Sequence, residues 1–209
     1  LGAEAARWVA AEGAARVVLV SRRGADDVLL AELRATTDAV SVTADVTDRA
    51  AMAEVVARHQ PDAVIHTAGV THLAPLVATT PEDYARVASA KVDGARVLHE
   101  VTEDLDAFVV YSSIAGVWGS GDQAAYAAAN ADLETLVHER RAAGLPATAI
   151  AWGPWAGPGM SGGAAGNDLA RRGLRPMEPR RAVEVLSRTG EPLLVVADVD
   201  WARFTDTFT

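Results

Sequence analysis

Apolar residues along the chain follow two alternating patterns. Short apolar runs rich in β-branched residues, without polar alternation, are typical of strands buried on both faces of a parallel sheet. These runs cover residues 15–22, 39–46, 62–69, 106–113, 147–153 and 192–199. Segments with helical spacing of apolar residues lie between them, at 2–13, 26–35, 49–58, 81–101 and 123–143. Strand followed by helix, repeated along the chain, predicts a doubly wound α/β fold with a parallel sheet.

Polar residues and glycines mark the ends of several predicted helices. Asp48 and Thr80 stand where N-caps are expected, and Pro81 suits the first helical turn. Gly144 follows the longest predicted helix, at a position where glycine commonly ends a helix. Residues 156–177 interrupt the rhythm with a glycine-rich stretch and then a short helical pattern. A loop of this length inside a compact α/β domain indicates a lid or a binding loop.

Composition narrows the classes of function. The chain has 209 residues, half of them hydrophobic, which predicts one domain with its own core. The net charge of −9 argues against a nucleic-acid partner, because no excess of Lys and Arg is present to neutralise phosphates. Without cysteine, neither a disulfide framework nor a thiolate metal site is possible, and we predict no metal. No apolar run approaches the roughly 20 residues of a membrane span, so we expect no membrane partner and a cytoplasmic location.

Several residues suited to a nucleotide ligand follow the predicted strands, at the sheet edge where α/β proteins bind ligands. The loop "SRRG" at 21–24 carries two arginines, which either bind the 2′-phosphate of NADP or are simply solvated. Asp45, after the next strand, either bonds an adenine edge or caps a turn. The small residues of "HTAG" at 66–69 allow close approach of a flat ligand. His66 alone is more typical of a packed core histidine than of a catalyst.

A hydroxyl, a phenol and an ammonium group form a second candidate set. Ser113 ends a predicted strand, and Tyr126 follows it by 13 residues. Lys91 lies on the preceding predicted helix, and Asn130 shares a helical face with Tyr126 if that segment is helical. These groups together can polarise a carbonyl and deliver a proton, and we expect a neighbouring Lys⁺ to lower the phenol's pKa from about 10. Taken singly, a tyrosine is more often structural and a lysine is usually solvated.

Longer motifs resemble those of ketoreductase domains from bacterial modular polyketide synthases, within the short-chain dehydrogenase/reductase superfamily. The resemblance covers essentially all 209 residues and implies a Rossmann-like fold. The motifs are "LVSRRG", "HTAGV", "KVDGARVLHE", "VVYSSIAGVWGSGDQAAYAAANADLETL", "AIAWGPWAG" and "VVADVDWARF". Other members of the superfamily carry Tyr-x-x-x-Lys. Here Asn130 takes the place of that lysine and Lys91 comes from the earlier helix, an exchange characteristic of polyketide ketoreductases.

The resemblance implies NADPH-dependent reduction of a β-ketoacyl chain on an acyl carrier protein. It implies that Tyr126 is the general acid and that Ser113 holds the ketone oxygen. Lys91 and Asn130 would support the phenol and the proton relay. Further partners implied are an N-terminal structural subdomain and other synthase domains, with 1–209 as the catalytic subdomain. The cofactor-binding residues that it implies are Gly2, Ser21, Arg22 (at the 2′-phosphate), Asp45 (at the adenine), Val46, Ala68, Gly69 and Tyr126.

The resemblance also bears on stereochemistry. Trp118, eight residues before Tyr126, marks the A-type, which produces an L-β-hydroxyl group. The B-type carries Leu-Asp-Asp where this chain has "THLAP" at 71–75. Gln123 resembles the A1 pattern, in which an α-substituent is left unepimerised. Met160, in the predicted lid, would form the other wall of the substrate groove. The alternative is that Trp118 is only a packing residue.

The N-terminal end of the sequence departs from the family pattern. A glycine motif of the TGxxGxxG kind would end at Gly2, so we expect the family's first strand and most of its phosphate loop to be missing from this sequence. Two other functions are compatible with the chain. One is a catalytically silent scaffold domain of a megasynthase, against which the presence of Ser113, Tyr126 and Lys91 argues. The other is a free-standing short-chain reductase, against which the Lys/Asn exchange argues.

Overall fold

The computed structural model describes residues 1–157 and 164–208. Met160, predicted to line a groove, therefore lies outside the described residues. The strands are β1 (Arg16–Ser21), β2 (Asp38–Thr43), β3 (Ala63–His66), β4 (Ala107–Ser113), β5 (Thr148–Trp152), β6 (Leu174–Arg175), β7 (Leu193–Val196) and β8 (Asp198–Val199). Each run predicted as a strand overlaps at least one of these elements, and the run 192–199 contains both β7 and β8.

Parallel pairing dominates the sheets. β1 pairs in parallel with β2, and a second parallel sheet has the order β3, β4, β5, β7. β6 and β8 form a short antiparallel pair. The predicted α/β fold with a parallel central sheet is confirmed.

Helices occupy the connections between the strands. They are α1 (Gly2–Ala11), α2 (Asp27–Arg34), α3 (Arg49–His59), α4 (Pro81–Ala88), α5 (Gly94–Val101), α6 (Ile114–Trp118), α7 (Ala124–Ala142), α8 (Ala164–Arg171), α9 (Pro179–Ala182) and α10 (Trp201–Phe208). The segment 81–101 was predicted as one helix, and the structure divides it. A π-helical turn, Ser89–Asp93, joins α4 to α5. No helix within 1–157 or 164–208 is long and apolar enough to span a membrane.

The predicted helix ends are confirmed. The Asp48 carboxylate accepts a hydrogen bond from Ala51 N at the start of α3. Thr80 and Asp83 form a reciprocal capping box at the start of α4, with Pro81 in the first turn. Gly144 follows α7 with a φ of +78°, a left-handed conformation that glycine adopts without steric cost.

The central strands are buried on both faces. Alternate residues of β4 point to opposite sides, so Val109 and Tyr111 pack in one cluster while Phe108 and Val110 pack in another. Every residue of β5 is buried. This two-sided burial explains why the sequence shows unbroken apolar runs instead of alternation. It also makes the carboxyl end of β4, where Ser113 lies, a rigid platform.

Candidate functional site

The carboxyl end of β4 places Ser113 beside the start of a helix. Its hydroxyl oxygen accepts a hydrogen bond from Ala115 N at 3.2 Å and so caps α6. The side chain is half-buried. Capping holds the serine oxygen in one orientation at the strand end, where the Ser113 side chain also hydrogen-bonds Tyr126.

Tyr126 and Asn130 lie one turn apart on α7, and both side chains are buried. The Asn130 amide nitrogen donates to the Tyr126 main-chain oxygen at 2.7 Å. The shared helical face predicted for these residues is therefore confirmed. The Tyr126 ring packs against residues of α4 and the π turn, which include Val87 and Val92. The phenol is thus held by a rigid helix and a close-packed wall.

Lys91 reaches the same region from the π turn. Its side chain is only 4% exposed, and Nζ lies 5.7 Å from the centroid of the Tyr126 ring. Nζ donates a hydrogen bond to the Tyr111 main-chain oxygen at 2.8 Å. A Cβ atom added to Gly69 would lie 3.0 Å from Lys91 Cε, so the absence of a side chain at 69 makes room for the lysine. The structure brings Lys91 and Tyr126 together from distant parts of the chain.

Burial controls the ionisation of the Lys91 and Tyr126 side chains. Desolvation lowers the pKa of Lys91 to about 8. Desolvation raises the pKa of Tyr126, and the Ser113 and Asn130 side chains act in the opposite direction. The expectation that Lys91 lowers the phenol's pKa is wrong for this structure, because desolvation by burial is the largest influence on Tyr126 and raises its pKa. The phenol is consequently protonated at neutral pH and can act as a proton donor.

The loop after β1 and the loop after β2 form an exposed polar region. The Ser21 hydroxyl donates to Gly24 O at 2.6 Å and closes a tight turn in which Arg22 is exposed. Hydrogen bonds from Thr47 are the main cause of a lowered pKa of Asp45, and the charge of Arg22 lowers it further. Asp45 accepts from Thr47 N at 3.0 Å and from Thr47 Oγ1 at 2.8 Å, so it does cap a turn. Arginine and aspartate thus lie near each other at the carboxyl ends of β1 and β2.

Small residues bring main-chain segments close together between these two regions. A Cβ atom on Gly2 would lie 2.8 Å from Thr67 Oγ1, a contact that real Cβ atoms do not make. The start of α1 therefore touches the loop that carries Ala68 and Gly69. Val46 contacts the first residue of α5, Gly94, where a Cβ would lie 2.6 Å from Val46 Cγ1. Such small residues, next to a basic loop, fit the flat and anionic parts of a dinucleotide.

The two residues linked by resemblance to stereochemistry take different positions. The Trp118 ring packs edge-on against Phe204 of α10, with 5.2 Å between centroids. Trp118 therefore has a packing contact with α10. Gln123 precedes α7 and forms an isolated β-bridge with Ala74, which joins the loop after β3 to the start of the helix that carries Tyr126.

Sequence reasoning missed two residues near the site, Ser112 and Glu134. The Ser112 hydroxyl donates to Glu134 Oε1 at 2.6 Å, which ties β4 to α7. Glu134 stands eight residues after Tyr126 on the same helical face, and this spacing could have indicated it. His66 was interpreted as a core histidine, and it is buried, but its ring nitrogen Nε2 also lies 2.9 Å from the Lys91 carbonyl oxygen.

Known proteins resemble this chain in sequence and in fold. The KR domain family model matches residues 1–157. Polyketide synthase GfsA of Streptomyces halstedii is 52% identical over 100% of this chain, which covers 3% of that protein. The pikromycin polyketide synthase component PikAIII of Streptomyces venezuelae is 48% identical, with 100% and 14% coverage. The solved structure of the first ketoreductase of the tylosin PKS has a TM-score of 0.91 at 46% identity, and the match covers 99% of this chain and 48% of that one. The chain thus spans a small part of the synthases and about half of the solved ketoreductase.

Proposed function

The chain belongs to the KR domain family of modular polyketide synthases, and we propose that it reduces a β-ketoacyl thioester to the β-hydroxy product with NADPH. The observation that carries the proposal is the convergence of Ser113, Tyr126 and Lys91 at the carboxyl ends of the central strands. A hydroxyl, a buried phenol and a buried ammonium group can polarise a carbonyl and deliver a proton, and the cofactor would supply the hydride.

In this proposal each side chain has a distinct role. The Ser113 hydroxyl donates a hydrogen bond to the ketone oxygen and so polarises the carbonyl. The Tyr126 phenol, which burial keeps protonated, transfers its proton to that oxygen as negative charge develops. The Lys91 ammonium group, 5.7 Å from the centroid of the Tyr126 ring, would stabilise the resulting phenolate. Asn130 supports the tyrosine through its bond to the main chain of α7.

The residues around the polar loop fit the cofactor. NADPH, when bound, supplies the hydride to the carbonyl carbon. Arg22 would bind the 2′-phosphate through charge-assisted hydrogen bonds, and Asp45 would contact the adenine with the carboxylate oxygen that Thr47 does not use. The remaining residues assigned to the cofactor are Gly2, Ser21, Val46, Ala68, Gly69 and the ring of Tyr126.

We assign the product to the L-β-hydroxy series, with any α-substituent kept in the configuration supplied. Trp118, the last residue of α6, and Gln123, the residue before α7, support this assignment by their type and by their place ahead of the helix that carries Tyr126. Met160 and the rest of 156–177 would act as a lid in this scheme. The substrate would arrive on an acyl carrier protein, in a cytoplasmic synthase whose other domains, including an N-terminal structural subdomain, accompany this catalytic unit.

The test is an assay of the intact polypeptide that carries this chain. A β-ketoacyl chain on an acyl carrier protein is incubated with NADPH or NADH, and cofactor oxidation is followed together with chiral chromatography of the product. We expect consumption of NADPH and an L-β-hydroxy product. A folded protein that oxidises neither cofactor would overturn the proposal and favour a scaffold role. A mainly D product would overturn the stereochemical assignment alone.

A further inference from the structure

The helix that carries Lys91 changes its hydrogen-bonding pattern at that residue. Between α4 and α5 the turn Ser89–Asp93 is π-helical, with the lysine at its centre. π turns are rare and often occur at functional sites. The Gly94 N–H bonds the Ser89 carbonyl oxygen across this turn. Any main-chain group of the turn that is buried without such a bond needs a partner from elsewhere.

His66 supplies such a partner. It is the last residue of β3, is 4% exposed, and its Nε2 lies 2.9 Å from the Lys91 carbonyl oxygen. Burial is the main cause that lowers the pKa of His66 to about 4, so the ring is neutral at physiological pH. A neutral imidazole has one N–H, and a carbonyl oxygen can only accept. Nε2 therefore carries the proton and donates it to Lys91 O.

The start of α5 fits closely around this bond. Gly94, the first residue of α5, has no side chain, and a Cβ there would lie 3.3 Å from His66 Cε1 and 2.6 Å from Val46 Cγ1. In the parallel pairing of β3 with β4, His66 lies opposite Val110, so the residue that carries the imidazole is part of the central sheet. The π turn is thus pressed against a fixed donor and has little room to shift.

We propose that His66 is a positioning residue that holds the π turn in the geometry that presents Lys91 to Tyr126. Lys91 is then fixed at both ends, its main chain by His66 and its Nζ by the Tyr111 carbonyl oxygen. The role rests on the proposed function of Lys91 and Tyr126. His66 acts through the lysine, so its loss should affect turnover more than cofactor binding.

Two substitutions separate the hydrogen bond from the packing. His66→Leu keeps an apolar volume and removes the donor, whereas His66→Gln keeps an N–H near the position of Nε2. Both are compared with wild type in the intact polypeptide, by hydrogen–deuterium exchange over residues 86–98 and by steady-state kinetics. For His66→Leu we expect faster exchange in the π turn and a kcat lower by about 10- to 100-fold, the scale of a small misplacement of a reacting group. In His66→Gln, both the slow exchange of the π turn and most of the kcat should be retained. The KM for NADPH should change little in either variant.

The outcomes distinguish this inference from the proposed function. Unchanged exchange in a folded His66→Leu variant overturns the positioning role whether or not the protein is active. A His66→Gln variant as impaired as His66→Leu also overturns it, because the ring's volume and not its donor would then matter. A wild type that reduces no β-ketoacyl thioester overturns the proposed function, and the exchange comparison still decides the role of the bond. If His66→Leu does not fold by circular dichroism, His66→Asn, whose amide is too short to reach Lys91 O, takes its place.

Discussion

The two halves of the candidate site are built in opposite ways. Lys91 and Tyr126 are buried, lie on helices packed against the central sheet, and have their pKa values moved by desolvation. Arg22 and Arg23, in the loop after β1, are exposed to solvent. Proton transfer needs groups whose position and ionisation are set before the substrate arrives, and a low-dielectric interior sets both. Recognition of an anionic ligand needs only charge and reach, which an exposed arginine has.

This contrast predicts where substitutions act. A change in the buried half should reduce turnover, because that half holds the groups proposed to act in the chemical step. A change in the exposed half should weaken cofactor binding by a smaller factor and become less important at high salt, because water and ions screen exposed charges.

The largest effect is expected for Tyr126→Phe, which removes the proton donor and keeps the ring. General acid catalysis contributes about 10²–10⁴-fold, so kcat should fall by that order while NADPH affinity stays nearly intact. The control is Tyr84→Phe, since the Tyr84 hydroxyl bonds Asp132 between α4 and α7 and has no role in the proposed chemistry. Steady-state kinetics and cofactor titration measure the two effects. Unchanged turnover in Tyr126→Phe would remove the phenol from the mechanism.

Trp118 lies between the two extremes, half-buried against Phe204. If its indole favours one direction of substrate entry, Trp118→Leu should erode stereocontrol more than it slows reduction. A 100-fold preference corresponds to only about 2.7 kcal/mol between competing transition states, which one contact and one clash can supply. Chiral chromatography of the product from a diketide thioester gives the ratio. An unchanged ratio would leave Trp118 as a packing residue, in which case the loss would appear as a lower melting temperature.

The pH dependence should come from the buried half. Lys91, with its pKa lowered to about 8, carries its charge below that pH and loses it as the pH rises through that value. If the ammonium group stabilises the Tyr126 phenolate, kcat should decline above pH 8 by about tenfold per pH unit. A pH–rate profile at saturating NADPH measures this decline of kcat, and the Arg22→Ala variant should show the same decline. A rate that stays flat well above that pH would show that the charge on Lys91 does not contribute.

The smallest effect is expected in the exposed half. Arg22→Ala should raise the KM for NADPH about tenfold, equivalent to roughly 1.4 kcal/mol, and leave the KM for NADH nearly unchanged. Arg23→Ala is the matched control, because it removes the same charge one residue away. The comparison of both cofactors with each variant separates recognition of the 2′-phosphate from loop structure. Equal increases for NADPH and NADH would mean that Arg22 only maintains the loop.

Local patterns determined much of this molecule from the sequence alone. Apolar runs predicted the parallel strands, and Asp48, Thr80 and Gly144 predicted three helix ends. These features depend on neighbours in the chain, on side-chain periodicity and on the donors and acceptors that a helix end leaves open. The shared face of Tyr126 and Asn130 was predictable for the same reason, because helical geometry places residues four apart on one side.

Only the tertiary structure decided how the site is assembled and ionised. The apolar pattern of segment 81–101 predicts one helix. The structure instead has a π turn at Lys91, where His66 bonds the main chain and Gly69 lies against the lysine side chain. The pKa of Tyr126 was expected to fall and is raised, because desolvation depends on how much protein surrounds the phenol. Contacts between residues far apart in the chain, such as His66 with Lys91, leave no local pattern. Their energies arise from packing and from removal of water, which exist only once the chain has folded.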